Sequence, residues 1–95
     1  MTKLVVAVPD LVSPSYFPAE AAVVLGCFEA EGVAAELTLC CPVERAYEEM
    51  RDGTVDIVAG SAHSIFSAFP RAEGAKLICA QSQGMYWFLV MHARF

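Results

Sequence analysis

Basic charge is scarce in this chain. Six Lys and Arg residues stand against eleven Asp and Glu, for a formal net charge of −5. The six (Lys3, Arg45, Arg51, Arg71, Lys76 and Arg94) are dispersed and form no stripe, which disfavours nucleic acid as a partner. C-x-x-C spacing is absent among the four cysteines, Cys27, Cys40, Cys41 and Cys79, and the adjacent Cys40 and Cys41 do not readily bridge each other. Buried free thiols are therefore the expectation, not a disulfide framework. Also missing is a basic segment followed by a long apolar one, since Lys3 precedes only Leu4 to Val8 before Pro9-Asp10. As given, the chain carries no signal peptide and no direct membrane span. The expected location is cytoplasmic if the chain is complete at its N-terminus, and periplasmic or extracellular if a leader was removed. There is no internal repeat and no low-complexity segment.

What is abundant is apolar side chain. Hydrophobic residues make up 57% of the 95 positions, and the mean hydropathy is +0.50. A single domain of this size buries only ~60–65% of the surface of its unfolded chain. The surplus calls for a cover: a second lobe, a partner subunit or further chain. Without it, the isolated lobe is expected to self-associate or to be poorly soluble.

Leu4 to Val8 is a continuous apolar run, which reads as a parallel strand buried on both faces. Pro9 to Pro18 holds three prolines and two serines, with Tyr16 and Phe17 among them, and reads as a loop at the strand's carboxyl end. Pro18 suits a first helical turn, and a helix over Ala19 to Ala30 is expected, with Ala22, Leu25 and Phe28 facing a sheet and Gly32 closing it. Val33 to Leu39 reads as a second strand, and Glu44 to Asp52 as a helix with Ala46, Tyr47 and Met50 inward and Gly53 as its stop. Val55 to Val58 is a third strand and Ala62 to Phe69 a third helix. Ala75 to Gln81 is a fourth strand, and Tyr86 to Met91 a fifth apolar run that suggests a truncated chain. The order β-α-β-α-β-α-β-β predicts an α/β fold with a mostly parallel sheet and helices on both faces.

The stretch Val55 to His63 organises this pattern. A buried strand broken by Gly60-Ser61 and followed by a helix sets free N–H groups at the sheet's carboxyl edge, where small anions settle. Ser61 either caps that helix or turns its hydroxyl to a ligand. Asp56, just before the strand core, is read as satisfying nearby backbone amides, and Phe28 and Tyr47 as core.

Two elements resemble a known family. Gly26-Cys27-Phe28-Glu29-Ala30-Glu31-Gly32-Val33 matches a G-x-F-x-x-E-G-hydrophobic pattern, and Met50-Arg51-Asp52-Gly53-Thr54-Val55-Asp56-Ile57 an L-x-x-G-x-x-D-hydrophobic one with Met for Leu. With Val8-Pro9-Asp10 and Tyr16-Phe17-Pro18-Ala19, they resemble the first lobe of type II periplasmic-binding-protein-like domains. The branch is the one shared by sulfonate, nitrate and taurine binders and by thiamine-pyrimidine-precursor proteins. The resemblance implies a three-layer lobe spanning the chain, a second lobe outside it, and a ligand clamped between the two.

The function this implies is a solute-binding protein of an ABC uptake system, or a fragment of one, with an ABC permease as partner of the full-length protein. Its ligand is a small organic anion or an aromatic or heterocyclic solute. Candidate site residues are Asp10, Ser13, Ser15, Tyr16 and Phe17 from the first loop, and Gly60, Ser61, Ala62 and His63 from the third. Gln83, Gly84, Met85 and Tyr86 come from the last. Backbone N–H groups near Tyr16 and Ser61 would hold the anionic head, and Tyr16, Phe17, Tyr86 or Trp87 would stack on its body. No catalytic set, metal site or cofactor is assigned. The alternatives are a thiamine-pyrimidine synthase-like enzyme, for which a cysteine-rich metal segment is lacking, and a sensory ligand-binding lobe.

Overall fold

The computed structural model describes residues 3–71, 73–82 and 89–94. Three parallel strands form its sheet: β1 (Leu4–Val8), β2 (Ala35–Leu39) and β3 (Ile57–Val58), in the order β2-β1-β3. Leu4 pairs with Ala35 and Val8 with Leu39 along one side of β1, while Val6 and Ala7 pair with Ile57 and Val58 along the other. The central strand is the one whose sequence is apolar throughout, because only there are both faces covered. Val6, Ala7 and Val8 are all fully buried.

Helices cover both faces. Val43–Asp52 forms the amphipathic helix α3, whose Ala46 packs with Ala7, Cys40 and Val55, and with half-buried Val5, Met50 and Val58. Val6 and Val8 project from the opposite side of the pleat, on the face where α1 (Phe17–Val24) lies against β1 and β2. The expected helix over Ala19 to Ala30 is in fact two pieces, α1 and the single turn α2 (Cys27–Ala30). Gly26 takes φ +77 between them, a left-handed conformation that cannot continue a helix. Leu25, expected on the buried stripe, is consequently well exposed. Gly32 closes α2 as expected: its N–H donates to Glu29 and that of Val33 to Phe28, the two crossed bonds of a left-handed helix stop.

Other boundaries also shift. β2 begins at Ala35 and β3 at Ile57, although Val55 ahead of it is buried as a strand residue would be. The expected helix over Ala62 to Phe69 is a 3₁₀ helix, Ala62–Ser67. Its Ser61-x-x-Ser64-x-x-Ser67 spacing has a period of three, which suits the eclipsed i, i+3 positions of that helix. Ala75–Gln81 forms no strand, and Leu77 and Ile78 are each 74% exposed. Of the fifth run, Tyr86 to Phe88 fall outside the described residues, and Leu89 to Met91 are exposed without regular structure. Nor are the cysteines all buried. Cys40 is, whereas Cys27, Cys41 and Cys79 are exposed, and all four are free.

Candidate functional site

The carboxyl edge of the sheet is where the chain parts to opposite faces. After β1 it runs through Pro9–Tyr16 to α1 on one face. After β3 it runs through Ala59–Ser61 to the 3₁₀ helix, whose Ile65 packs with Tyr47 on the α3 face together with Ala68 and Phe69 just after it. β1 and β3 are neighbours and the chain leaves them toward opposite faces, the kind of switch point at which open α/β sheets bind ligands.

The first loop is held by Asp10. Its carboxylate accepts the N–H of Ser13 at 2.6 Å, the hydroxyl of Ser13 at 2.8 Å and the N–H of Val12 at 3.0 Å. The Ser13 N–H and hydroxyl, followed by the Val12 N–H, hold the carboxyl below its ordinary range. Ser13 then accepts the N–H of Tyr16 at its carbonyl, which positions Tyr16 as the residue before α1. Ser15 and Tyr16 are half-buried, and Phe17 is exposed as the first helical residue.

The third loop is held from α3. Tyr47 is buried and donates its hydroxyl to the Ser61 carbonyl at 2.9 Å. Burial raises the Tyr47 phenol above its ordinary value, and the neighbouring Tyr16 phenol raises it further. Sequence reasoning assigned Tyr47 to the core, correctly for its ring, and missed its hydroxyl; no pattern in the sequence distinguishes the two roles.

Ser61 does not cap the following helix with its side chain. Its hydroxyl lies 2.8 Å from that of buried Ser64, and its carbonyl accepts the Ser64 N–H. Six residues of 3₁₀ helix also give a weaker dipole than the α-helix expected, so the edge offers less positive potential there. Gly60 is required for a different reason than a break. A Cβ on it would stand 2.6 Å from Val43 Cγ2 and 3.3 Å from Val58 Cγ1, so only glycine lets the loop pass α3. Ala62 and His63 are exposed at the start of the 3₁₀ helix. Gln83, Gly84, Met85 and Tyr86, with Trp87, lie outside the described residues.

The structure thus ties Tyr47 to Ser61 and uses Asp10 and Ser13 on each other. Two open surface hollows lie elsewhere. One, of about 500 Å³, is lined by Pro42 and the outer face of α3, including Glu44, Arg45 and Glu48. The other, of about 490 Å³, is lined by Arg51, Phe69, Pro70 and Arg71 among others. Among the described residues no group of three His, Cys, Asp or Glu side chains is placed to share a metal ion, and no helix is long and apolar enough to cross a membrane. Comparison with family models, curated proteins and solved structures gives no match.

Proposed function

We propose that this chain is the first lobe of a solute-binding protein serving an ABC uptake system, and that it holds a small anionic or heterocyclic solute in a crevice at the carboxyl edge between β1 and β3. The observation that carries the reading is the parting of the chain to opposite faces after two neighbouring parallel strands. Such an edge gathers loop backbone from both sides without needing a deep pocket within one lobe. The apolar surplus supports a lobe built to meet other surface. The resemblance of Gly26 to Val33 and Met50 to Ile57 to periplasmic-binding-protein-like elements supports the solute class.

Titration of the ¹⁵N-labelled chain with taurine, with nitrate and with an aminopyrimidine at millimolar concentration tests it. At least one should move the amide resonances of residues 10–17 and 60–63 together. Perturbation confined to other residues, or none with any of the three, would overturn the proposal.

A further inference from the structure

We infer that the chain forms a symmetric dimer in which Ala75–Gln81 of each copy adds as a strand to the free edge of β3 in the other. This does not depend on what the crevice binds. The first observation is surface area. The chain exposes 7050 Å², where a compact monomer of 10.2 kDa exposes about 5,300 Å², an excess of roughly 1,700 Å². Its radius of gyration is 15.1 Å, against about 12 Å for a compact chain of this length. A standard specific interface buries ~800 Å² per partner, so a second copy is large enough to account for much of the excess.

The second observation is a rooted segment that contributes to that area, alongside other exposed apolar residues such as Val12, Leu25 and Leu89. Ala75 is packed against the Tyr47, Ile65, Ala68 and Phe69 cluster, which fixes the root of the segment on the α3 face. Beyond it, Lys76 to Ala80 are all exposed, with Leu77 and Ile78 carrying most of the apolar surface. Leu-Ile-Cys-Ala in water is strand-prone and carries no charge to keep it there.

The third is the acceptor. β3 is an edge strand in the order β2-β1-β3. The Ala59 N–H donates inward to the Ala7 carbonyl, so by alternation the N–H and C=O of Val58 face outward, with no neighbouring strand among the described residues. The root of the segment is held while, among the described residues, no strand covers its own β3 edge. Reciprocal exchange satisfies both arms and both edges and closes at two copies.

Sedimentation velocity of the full chain from 1 to 200 µM, with hydrogen exchange on the same samples, tests this. The wild type should run as a dimer, with protection at Val58 and over Leu77–Ala80 that rises with concentration. Leu77→Asp/Ile78→Asp changes only exposed side chains, so the circular dichroism of the body should be retained. The variant should be at least tenfold weaker as a dimer and lose protection at Val58. A wild-type monomer at 200 µM overturns the inference, whether or not its arm is protected by docking on its own β3. So does a dimer that the double substitution leaves intact, or an open-ended series of higher oligomers.

Discussion

The Tyr47 hydroxyl donates to the Ser61 carbonyl at 2.9 Å, joining the inner face of α3 to the loop that leaves β3. One residue therefore serves two levels of the structure. Its ring packs with Ile65, Ala68 and Phe69, and its oxygen fixes the backbone at the carboxyl edge of the sheet. Tyr47→Phe keeps the ring and removes the bond. It should lower stability by about 1 kcal/mol, the net worth of one hydrogen bond, while Tyr47→Ala should cost ~3–5 kcal/mol through the cavity it leaves. Urea denaturation of the three chains separates the two contributions.

Asp56 and Val5 bond each other twice. The Val5 N–H donates to Asp56 Oδ2 at 2.8 Å, and the Asp56 N–H to the Val5 carbonyl at 3.0 Å. The side chain thus extends the β1–β3 pairing beyond a β3 of only two residues. Asp56→Ala should destabilise the chain by about 1 kcal/mol, since the site is exposed and water replaces part of the bond. Asp56→Asn keeps a carbonyl acceptor and should cost less. Equal losses for the two substitutions would show that the charge, not the acceptor, matters.

Much of the parallel sheet was legible because its signals are local. Leu4 to Val8 has no polar member, so it can only be central; Ala46, Tyr47 and Met50 recur at helical spacing; and Gly32 and Gly53 stand where left-handed stops are needed. What was missed depended on things outside the local pattern. Composition around Gly26 favours an uninterrupted helix, and only its positive φ divides α1 from α2. The serine period of three at Ser61, Ser64 and Ser67 differs too little from the 3.6 of an α-helix to separate the two over so short a run. Ala75 to Gln81 has the composition of a strand, yet a strand needs an edge to pair with, and no residue within the segment reports whether that edge is taken. At the candidate site, the loop positions followed from strand ends, whereas the Tyr47 hydroxyl came from an element read as core.

Gly60 is held by close approach. Its backbone passes α3 so tightly that Gly60→Ala sets a methyl 2.6 Å from Val43 Cγ2. The substitution should cost ~1–3 kcal/mol by overpacking. Val43→Ala removes the obstructing atom, so the cost of Gly60→Ala measured in that background should fall by at least half. An unchanged cost in the double variant would place the strain in the backbone instead.

The four thiols should separate by reactivity. Cys40 is buried and donates to Glu49 Oε2 at 3.3 Å, and burial, then this bond and the Glu49 charge, raise its pKa. The thiolate is the reactive form, so Cys40 should resist iodoacetamide at pH 8 in the folded chain. Cys27, Cys41 and Cys79 are exposed and should react. Mass spectrometry of the peptides should show three labelled cysteines before denaturation and four after it.

Two ionisations bound the pH range over which the edge keeps its form, and their signs are opposite. The Asp10 carboxyl is held below its ordinary 3.8 by the bonds from Ser13 and Val12. Its contribution is therefore complete above the ordinary value and lost as pH falls through the lowered one. The Tyr47 phenol is held above its ordinary 10.0, chiefly by burial. Its protonated form is favoured by folding, so that contribution is complete below 10.0 and lost as pH rises through the raised value. Following the Ser13 and Ser61 amide resonances across pH should show the first moving only at the acid limb and the second only at the alkaline one. Tyr47→Phe has no phenol to ionise at this position, so its stability should fall less steeply above pH 10.0 than that of the wild type. An alkaline limb identical in the two chains would assign the loss to the other tyrosines and leave Tyr47 as a hydrogen-bond donor with no part in the pH response.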